Sequence, residues 1–582
     1  MKRGFQLERW QDYSIYWGEW DVLVIGGGIA GLMAARAAAP HARTLLVAKG
    51  FAGADGVSPF AGGVVIYLRP EDDWGAFWAE HAQLSEGLSH PEAVRRTIEM
   101  CAYLIERLAA KGAPVERSED GSLHRRWMPA AGRQHVPRLG LSSVEFARFL
   151  RQEALRAGAR ILDQTVILKL RSAQKGGFWA VGIRRQQGML VALRARAVVL
   201  AAGGCAWRGA HMGLHSAMGE GLTLGLEAGA ELAGMEFCTS YLATCALFDT
   251  HGQDVLMGLG GRLRNRWGED ILARHGFPCP APPHLTALAM LSELRAGHDP
   301  IVMDLRAIPA RARQEWENQF PVVARGLRRT GVDVFNEPIP WIPGFVGSIA
   351  GGGGIYIRNL AGATGVPGLF AAGDTATRLP LVGAGSGITF MNLAWALASG
   401  HWAGRAAIQA VEQAEPGDSS WEEETFAPLL CAMLAPLDLG DPERSRTSLD
   451  DVLKSLQRFV ADPAYNFFRT SSGLAEAEAG VAALWEHLHT IRVGSWHDLV
   501  RWHELQSAIR IAQAMFQSAK ARPETRGWHR RLDHPRPDPR YEDIWLITRP
   551  EERATSPSFR ITSLSLSDPQ TFQIWSPQEN EG

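Results

Sequence analysis

A glycine-rich turn between an apolar strand and an alanine-rich helix is the feature that most constrains this chain. Residues 22–25 form a β-branched apolar run, which is typical of a strand buried on both faces. Gly26, Gly28 and Gly31 follow it in the spacing G-x-G-x-x-G. In that spacing the first glycine allows a tight turn, the second lets the backbone approach a pyrophosphate, and the third lets helix and strand pack closely. The pattern predicts a dinucleotide site at a helix N-terminus.

A second strand and a glycine-dense loop extend this prediction. Residues 44–48 form another apolar run, and Lys49 follows it where an acid that contacts a ribose is usually found. The loop that begins at Lys49 includes Ser58, Gly62 and Gly63 and leads into a predicted strand at residues 64–68. So many small residues allow the backbone to approach a flat ligand closely.

Composition fits a globular protein of two or three domains, because the chain has 582 residues. The net charge of -2 provides no basic field for nucleic acid or for an anionic membrane surface. Six scattered cysteines without C-x-x-C spacing indicate no zinc site, iron–sulfur cluster or disulfide framework. We find no pattern of a signal peptide or transmembrane segment and therefore expect a cytoplasmic protein.

Short motifs follow the G-x-G-x-x-G fingerprint of Gly26, Gly28 and Gly31 in a fixed order. They are Ala201-Ala202-Gly203-Gly204, Met218-Gly219-Glu220-Gly221, the strand-like Met235-Glu236-Phe237, Gly260-Gly261-Arg262-Leu263, Val302-Met303-Asp304-Leu305-Arg306, Gly368-Leu369-Phe370-Ala371-Ala372-Gly373-Asp374 and Arg526-Gly527-Trp528-His529. Together they resemble the FAD-dependent flavoprotein superfamily of succinate dehydrogenase, fumarate reductase, L-aspartate oxidase and the adenylylsulfate reductase flavoprotein. The resemblance covers roughly residues 20–540. Helices are expected at residues 93–110, 142–158, 475–489 and 498–521, and strands at residues 161–170, 178–183 and 196–204.

The resemblance implies an α/β fold with a Rossmann-like FAD-binding domain, an inserted α+β capping domain and a C-terminal helical domain. The expected bounds are residues 15–225 and 345–412 for the FAD-binding domain, 226–344 for the cap, 413–540 for the helical domain and 541–582 for a tail. We assign the tail no role. Active sites of such proteins lie at the junction of the flavin and capping domains.

The resemblance also implies which residues hold FAD. They are Gly26, Gly28, Gly31, Lys49, Ser58, Gly62, Gly63, Ala202, Gly203, Gly373, Asp374, Asn392 and Leu393. Asp374 is expected to accept hydrogen bonds from ribose or ribityl hydroxyls, and Asn392 and Leu393 to begin a helix whose N–H groups face the flavin pyrimidine. Gly56 stands where family members that attach FAD covalently carry a histidine, so we expect non-covalent FAD.

The catalytic positions of the family are largely replaced. In chain order they coincide here with Tyr241, Asp254, Pro283 or His284, a glycine run after Ile349, and Ser386. A dicarboxylate without its arginine partners loses charge-assisted hydrogen bonds worth about 1.5–3 kcal/mol each. We therefore expect a small-molecule substrate other than succinate or fumarate.

Four residues remain candidates for catalysis: His284, Asp254, Tyr241 and Arg262. His284 follows two prolines at a predicted helix start, where the helix dipole favours the neutral ring that acts as a base. Arg262 belongs to a group of cations in candidate regions, with Arg208, Arg264, Arg306 and Arg378. Such arginines are more often ion-paired than available to a ligand. The spacing of His211 and His215 suits a metal, but we expect none because no third ligand is evident.

These features predict an FAD-dependent oxidoreductase that transfers a hydride between flavin and a small molecule. One alternative is an adenylylsulfate-reductase-like or electron-transfer subunit with an iron–sulfur partner, since this chain has no cluster ligands of its own. A second is an L-aspartate-oxidase-like enzyme that passes electrons to oxygen. A third is an FAD-binding scaffold without catalysis, which bleaching of the flavin by any metabolite would exclude.

Overall fold

The computed structural model describes residues 6–10, 13–61, 63–130, 133–173, 176–186, 188–209, 213–248, 254–349, 351–385, 391–413, 423–438, 442–551 and 556–575. The strands are β1 (Gln6–Trp10), β2 (Tyr13–Ile25), β3 (Thr44–Val47), β4 (Val64–Ile66), β5 (Arg125–Ala130), β6 (Arg133–Gly140), β7 (Arg160–Leu162), β8 (Thr165–Ser172), β9 (Phe178–Arg184), β10 (Met189–Leu200), β11 (Leu232–Ala233), β12 (Tyr241–Cys245), β13 (Arg262–Arg264), β14 (Val302–Asp304), β15 (Ile339–Phe345), β16 (Gly354–Ile355), β17 (Leu369–Ala371), β18 (Ile544–Pro550) and β19 (Phe559–Ser565).

The helices are α1 (Ile29–Ala38), α2 (Trp74–Leu84), α3 (Pro91–Ala110), α4 (Ser143–Arg156), α5 (Glu220–Glu227), α6 (Asp254–Gly258), α7 (Ile271–Arg274), α8 (Pro283–Arg295), α9 (Ala310–Gln319), α10 (Pro321–Arg329), α11 (Leu379–Val382), α12 (Met391–Gln413), α13 (Glu423–Leu434), α14 (Pro442–Val460), α15 (Pro463–Asn466), α16 (Ser471–Thr490) and α17 (Trp496–Ala521). Short 3₁₀ turns lie at Ser58–Phe60, Leu214–Ser216, Met235–Phe237, Gly347–Ile349, Gly373–Thr375 and Pro539–Tyr541. Among the described residues, no helix has the length and hydropathy that crossing a membrane requires.

A mixed sheet with the strand order β7-β3-β2-β10-β9-β8 forms the core. Strands β7, β3, β2 and β10 pair in parallel, and the last residues of β10 also pair in parallel with β17. Residues 22–25 and 198–200 are buried, because both faces of the sheet are covered. The carboxyl ends of β2, β3, β10 and β17 therefore meet at one edge, where open α/β sheets bind their ligands.

The backbone of helix α1 packs directly against its neighbours on two sides, with no room for a side chain between them. A Cβ atom at Gly31 would lie 1.9 Å from the Gly26 oxygen, and one at Gly26 would lie 2.1 Å from the Ala201 oxygen. On its other side α1 meets α12, where a Cβ atom at Gly400 would lie 2.2 Å from the Ala30 oxygen. Glycine at these positions allows the close approach that fixes the start of α1 beside the sheet.

The chain between β11 and β16 contains an antiparallel sheet with the order β12-β15-β14-β13, and we call this segment the cap. Asp304 ends β14 and accepts hydrogen bonds from Arg264 (3.0 Å) and Arg306 (2.9 Å). The hydrogen bonds from Arg306, supported by those from Arg264, outweigh burial and hold the pKa of the Asp304 carboxyl well below its ordinary value. This ion-paired cluster ties β13, β14 and the following turn together.

The C-terminal strands β18 and β19 join β11 and β16 in a second antiparallel sheet. Strand β11 lies just before the cap in the chain and β16 lies just after it. Sequence patterns assign no role to this tail, whereas in the structure it pairs with one of the two connections to the cap and shares a sheet with the other.

Sequence patterns locate the long elements well and two short ones incorrectly. The helices expected at residues 93–110, 142–158, 475–489 and 498–521 correspond to α3, α4, α16 and α17. The strand expected at residues 161–170 is two strands, since Gln164 adopts a φ of 52° between β7 and β8. Met235–Phe237 is a 3₁₀ turn instead of a strand, because Gly234 is left-handed and the buried Glu236 carboxylate accepts hydrogen bonds from Arg522 and Ser518.

Asp304→Asn tests the ion-paired cluster of the cap. At pH 7 we expect the substitution to lower the free energy of unfolding by about 1–2 kcal/mol, since charge-assisted hydrogen bonds are lost. The folded-state pKa lies below the unfolded value, so the contribution is full above about pH 4 and fades as the pH falls. Urea unfolding at pH 7 and pH 3 measures both effects. Glu315→Gln, in an exposed pair with Arg311, is the control and should change stability by less than about 0.5 kcal/mol. An Asp304→Asn effect of equal size at both pH values would contradict the assignment.

Candidate functional site

A cavity of about 360 Å³ lies where the carboxyl ends of the parallel strands approach the cap. The predicted cofactor residues that line it are Gly26, Gly28, Lys49, Ser58, Ala202, Gly203, Gly373, Asp374, Asn392 and Leu393. The cap and the segment that returns from it contribute Leu242, Ala243, Met257, Pro283, Thr286, Phe320 and Ile349. One wall is therefore rich in glycine and polar groups, and the facing wall is almost entirely apolar.

The N-terminus of α1 opens into this cavity. The Ser58 hydroxyl accepts a hydrogen bond from the Ile29 N–H (3.2 Å) and so occupies one of the free donors of the helix. A Cβ atom at Gly28 would lie 3.1 Å from the Ser58 oxygen, and no other described atom lies within 4 Å of it. Space beside a helix N-terminus suits a phosphate group, which the helix dipole attracts.

Lys49 lines the cavity with its ammonium group already paired. Its Nζ donates to the Ser216 carbonyl (2.9 Å), to Glu220 and to Glu504 (2.7 Å). Burial opposes the charge, but the two carboxylates outweigh it and raise the pKa of the Lys49 ammonium above its ordinary value. Arg208 also donates to Glu504 (3.0 Å), so the cluster around Lys49 holds two cations and two anions. Glu220 lines the cavity itself and supplies a carboxylate near the expected position of the ribose-binding acid.

Asp374 and Asn392 stand together on the cavity wall because both contact Arg378. The Arg378 NH1 group lies 3.0 Å from the Asp374 carboxylate and donates to the Asn392 amide oxygen at 2.7 Å. Burial raises the pKa of the Asp374 carboxyl, and Arg378 partly offsets that effect. Gly373 is fixed next to them by hydrogen bonds with Trp395 and Ser399 of α12.

His284 is buried at the start of α8, between Pro283, which lines the cavity, and a carboxylate. Its Nε2 lies 3.2 Å from the Glu86 carboxylate, and its Nδ1 lies 3.3 Å from the Gly385 carbonyl oxygen. Both partners are acceptors, and the Glu86 carboxylate lies beside the ring. The neutral ring expected from the helix start stays a prediction.

Glu86 is held in place for this contact. Its second carboxylate oxygen accepts a hydrogen bond from the Gly527 N–H (2.7 Å), and its φ of 51° is unusual for a residue with a side chain. Burial opposes the charge, yet hydrogen bonds from His284 and Gly527 lower the pKa of the Glu86 carboxyl below its ordinary value.

Two other catalytic candidates point their polar groups at protein partners. The Tyr241 hydroxyl donates to the Asn466 amide oxygen (2.7 Å) and is buried against the helical domain, while its neighbour Leu242 lines the cavity. Burial raises the pKa of the Tyr241 phenol above its ordinary range. Arg262 lies 3.4 Å from Asp270 and donates to the Gly261 carbonyl (2.8 Å). Neither residue is among those that line the cavity, and His284 is not among them either.

The remaining predicted residues divide into two groups. Gly31 and Gly63 lie beside the cavity without lining it, and a Cβ atom at Gly63 would lie 2.3 Å from the Leu141 oxygen. Gly62, Ser386, His211 and the side chain of Asp254 lie outside the described residues. Sequence reasoning missed Glu86 and Glu504 altogether, since neither carries a local signal and each meets its partner only in the folded chain. Within the described ranges, no group of three potential metal ligands occurs.

Comparisons with known proteins agree with this architecture. Residues 21–390 match the FAD binding domain family, and residues 454–575 match the fumarate reductase flavoprotein C-terminal family. L-aspartate oxidase of Streptomyces coelicolor is 29% identical over 548 residues, which cover 88% of each chain. L-aspartate oxidase of Pseudomonas aeruginosa is 27% identical over 564 residues, which cover 90% of this chain and 98% of the relative.

Solved structures with the same fold cover almost the whole chain. A variant of E. coli quinol fumarate reductase FrdA superposes with a TM-score of 0.82 at 22% identity, over 94% of this chain and 97% of that one. Adenylylsulfate reductase from Archaeoglobus fulgidus superposes with a TM-score of 0.77 at 18% identity, over 96% and 98%. With these matches, FAD is the cofactor of the chain, and the open helix N-terminus beside Gly28 and the polar wall at Asp374 fit it.

Gly28→Val tests the phosphate end of the cavity. We expect the variant to fold and to lose FAD binding, because the new side chain fills space beside the helix N-terminus without meeting a backbone atom. Flavin content after purification, FAD titration and circular dichroism measure binding and folding separately. Gly75→Val, at an exposed position in α2, is the matched control. Full flavin occupancy in Gly28→Val would show that the fingerprint has been misinterpreted.

Proposed function

Because the chain belongs to the FAD binding domain family and is an FAD-dependent oxidoreductase, we propose a substrate class for it. The substrate is a small molecule with little negative charge where it meets the cap, and it exchanges a hydride with the flavin. The observation that carries this proposal is the apolar cap wall of the cavity. That wall consists of Leu242, Ala243, Met257, Pro283, Thr286, Phe320 and Ile349.

The charges of the cap support the same conclusion. Among the described lining residues, the cap contributes no arginine, lysine or histidine. Arg262 is paired with Asp270, and Arg264 and Arg306 are both bonded to Asp304. A dicarboxylate in this cavity would lack the charge-assisted partners that offset its desolvation, worth about 1.5–3 kcal/mol for each hydrogen bond. An uncharged or weakly charged substrate avoids that cost.

The protein contributes orientation, exclusion of water and proton handling to the reaction. When bound, FAD supplies the hydride chemistry. We assign the α1 N-terminus to the cofactor phosphates and Asp374 and Asn392 to its polar groups. The apolar cap wall keeps water away from the substrate. His284 does not line the cavity itself, but its neighbours Pro283 and Thr286 do, and we assign proton exchange to it, with Glu86 holding its orientation.

L-aspartate is the competing substrate, because the relatives named above are L-aspartate oxidases. Their match supports this candidate over most of the chain. The apolar cap wall favours the less charged substrate, since L-aspartate carries two carboxylates. The two proposals are separated by which compounds reduce the bound flavin.

We also propose that the electrons leave the flavin for an acceptor outside this chain, either dioxygen or an iron–sulfur subunit. The six cysteines lack cluster spacing, and in the described chain they are free thiols, four of them buried. Release of peroxide with substrate would support dioxygen, and co-purification with an iron–sulfur protein would support the subunit.

The substrate proposal predicts that C4 dicarboxylates fail. We expect no flavin bleaching by succinate, no reoxidation of the reduced flavin by fumarate, and bleaching by an uncharged compound in a metabolite screen. Anaerobic absorbance spectra measure each half-reaction directly. Turnover of about 1 s⁻¹ or more with succinate or fumarate would contradict the proposal. Bleaching by L-aspartate with peroxide release would favour the competing candidate instead.

Non-covalent attachment is a separate prediction. Gly56 lines the cavity with a φ of 76°, and the sequence has no histidine between His41 and His81. We therefore expect acid or heat to release intact FAD from the purified yellow protein. Flavin fluorescence that stays with the denatured chain on a gel would contradict this expectation.

A further inference from the structure

Arg378 is one of the most deeply buried charged residues of the protein, with 1% of its surface exposed. Its NH2 group donates to the carbonyl oxygens of Ser348 (2.7 Å), Ile349 (2.7 Å) and Gly351 (2.6 Å). Its NH1 group contacts Asp374 and Asn392, as described above. A guanidinium stays charged in proteins, and these five contacts replace the water that burial removes.

The partners of Arg378 come from three separate segments of the cavity wall. Ile349 lies on the chain that returns from the cap, Asp374 follows β17, and Asn392 lies at the start of α12. All three residues line the cavity, whereas Arg378 stands behind them. One buried cation therefore sets the relative position of three segments that face the cofactor.

Arg378 is also the charged group that faces Asp374 in the described part of the chain. The Gly373–Thr375 turn packs against α12, where the nearest polar side chains are those of Asn392, Trp395 and Ser399, all neutral. On the side of α1 it meets Ala30, and β16 consists of Gly354 and Ile355, so neither element brings a charged side chain. A buried carboxylate with no cation beside it is protonated at pH values where an exposed one is ionised.

We propose that Arg378 is a positioning residue of the flavin site, which keeps Asp374 ionised and aimed into the cavity so that its carboxylate accepts hydrogen bonds from cofactor hydroxyls. Ionised acceptors form stronger hydrogen bonds than neutral ones. Without Arg378, burial acts unopposed on Asp374, which takes up a proton more readily and becomes a weaker acceptor. FAD affinity then depends on pH through this one carboxyl group.

Substitutions separate the charge of Arg378 from its geometry. We expect Arg378→Gln to weaken FAD binding at least tenfold at pH 6. Between pH 6 and pH 8 the FAD affinity of this variant should rise more than threefold more than that of wild type does. Arg378→Lys keeps the charge but not the fork of donors, so its affinity falls while its pH profile stays that of wild type. Arg378→Gln with Asp374→Asn loses the added pH dependence, because the titrating group is gone.

Equilibrium dialysis of the purified holoprotein at pH 6, 7 and 8 measures these FAD dissociation constants. Arg358→Met is the matched control, since Arg358 is half-exposed and pairs with Glu231 (2.9 Å) away from the cavity. It should leave affinity and pH profile unchanged. The proposal would be overturned if the FAD affinity of Arg378→Gln changed with pH as that of wild type does. It would also be overturned if the added pH dependence remained in the double variant with Asp374→Asn.

An infrared measurement keeps the proposal testable if Arg378→Gln does not fold. The difference spectrum between wild type and Asp374→Asn at pH 6–8 should contain carboxylate bands and lack a protonated carboxyl band. A protonated carboxyl band in the wild-type spectrum at pH 7 would overturn the proposal without any change at Arg378.

Discussion

The close contact of α1 with backbone on two sides is the constraint on which the rest of the structure depends. Gly26 and Gly31 bring the helix against the sheet, and Gly400 brings α12 against the helix. Any side chain at these positions would meet a carbonyl oxygen within about 2 Å, so α1 has little freedom to shift or tilt. Its N-terminus is therefore fixed at the sheet edge, and the cavity is built around that point.

Buried charges then hold the surrounding loops at this edge. Lys49 is tied to Glu220 and Glu504, and Arg378 is tied to three segments of the wall. His284 connects the cap to Glu86, which the C-terminal segment fixes through Gly527. Each cluster joins segments that lie far apart in the chain. Because a buried charge without its partner is costly, the loops are specified together instead of one at a time.

These contacts between distant segments explain which parts of the structure could be predicted from the sequence. The FAD-binding fingerprint, the long helices and the position of Asp374 depend on local pattern, and they were predictable from residues close in the chain. The partners of Lys49 and His284 were not, since Glu504 and Glu86 carry no local signal. Tyr241 was placed in the site by alignment alone, and its hydroxyl instead meets Asn466, because strand register turns its side chain to the helical domain. The 3₁₀ turn at Met235–Phe237 depends on Arg522, which local propensity cannot include.

The sheet formed by β11, β16, β18 and β19 has a consequence for how the protein is made. Strands β11 and β16 flank the cap in the chain, and β18 pairs with β11 on the side away from β16. During synthesis β18 emerges after every other part of the FAD-binding domain and cap. On the ribosome the base of the cap thus remains open along one edge until residues 544–550 have left the exit tunnel.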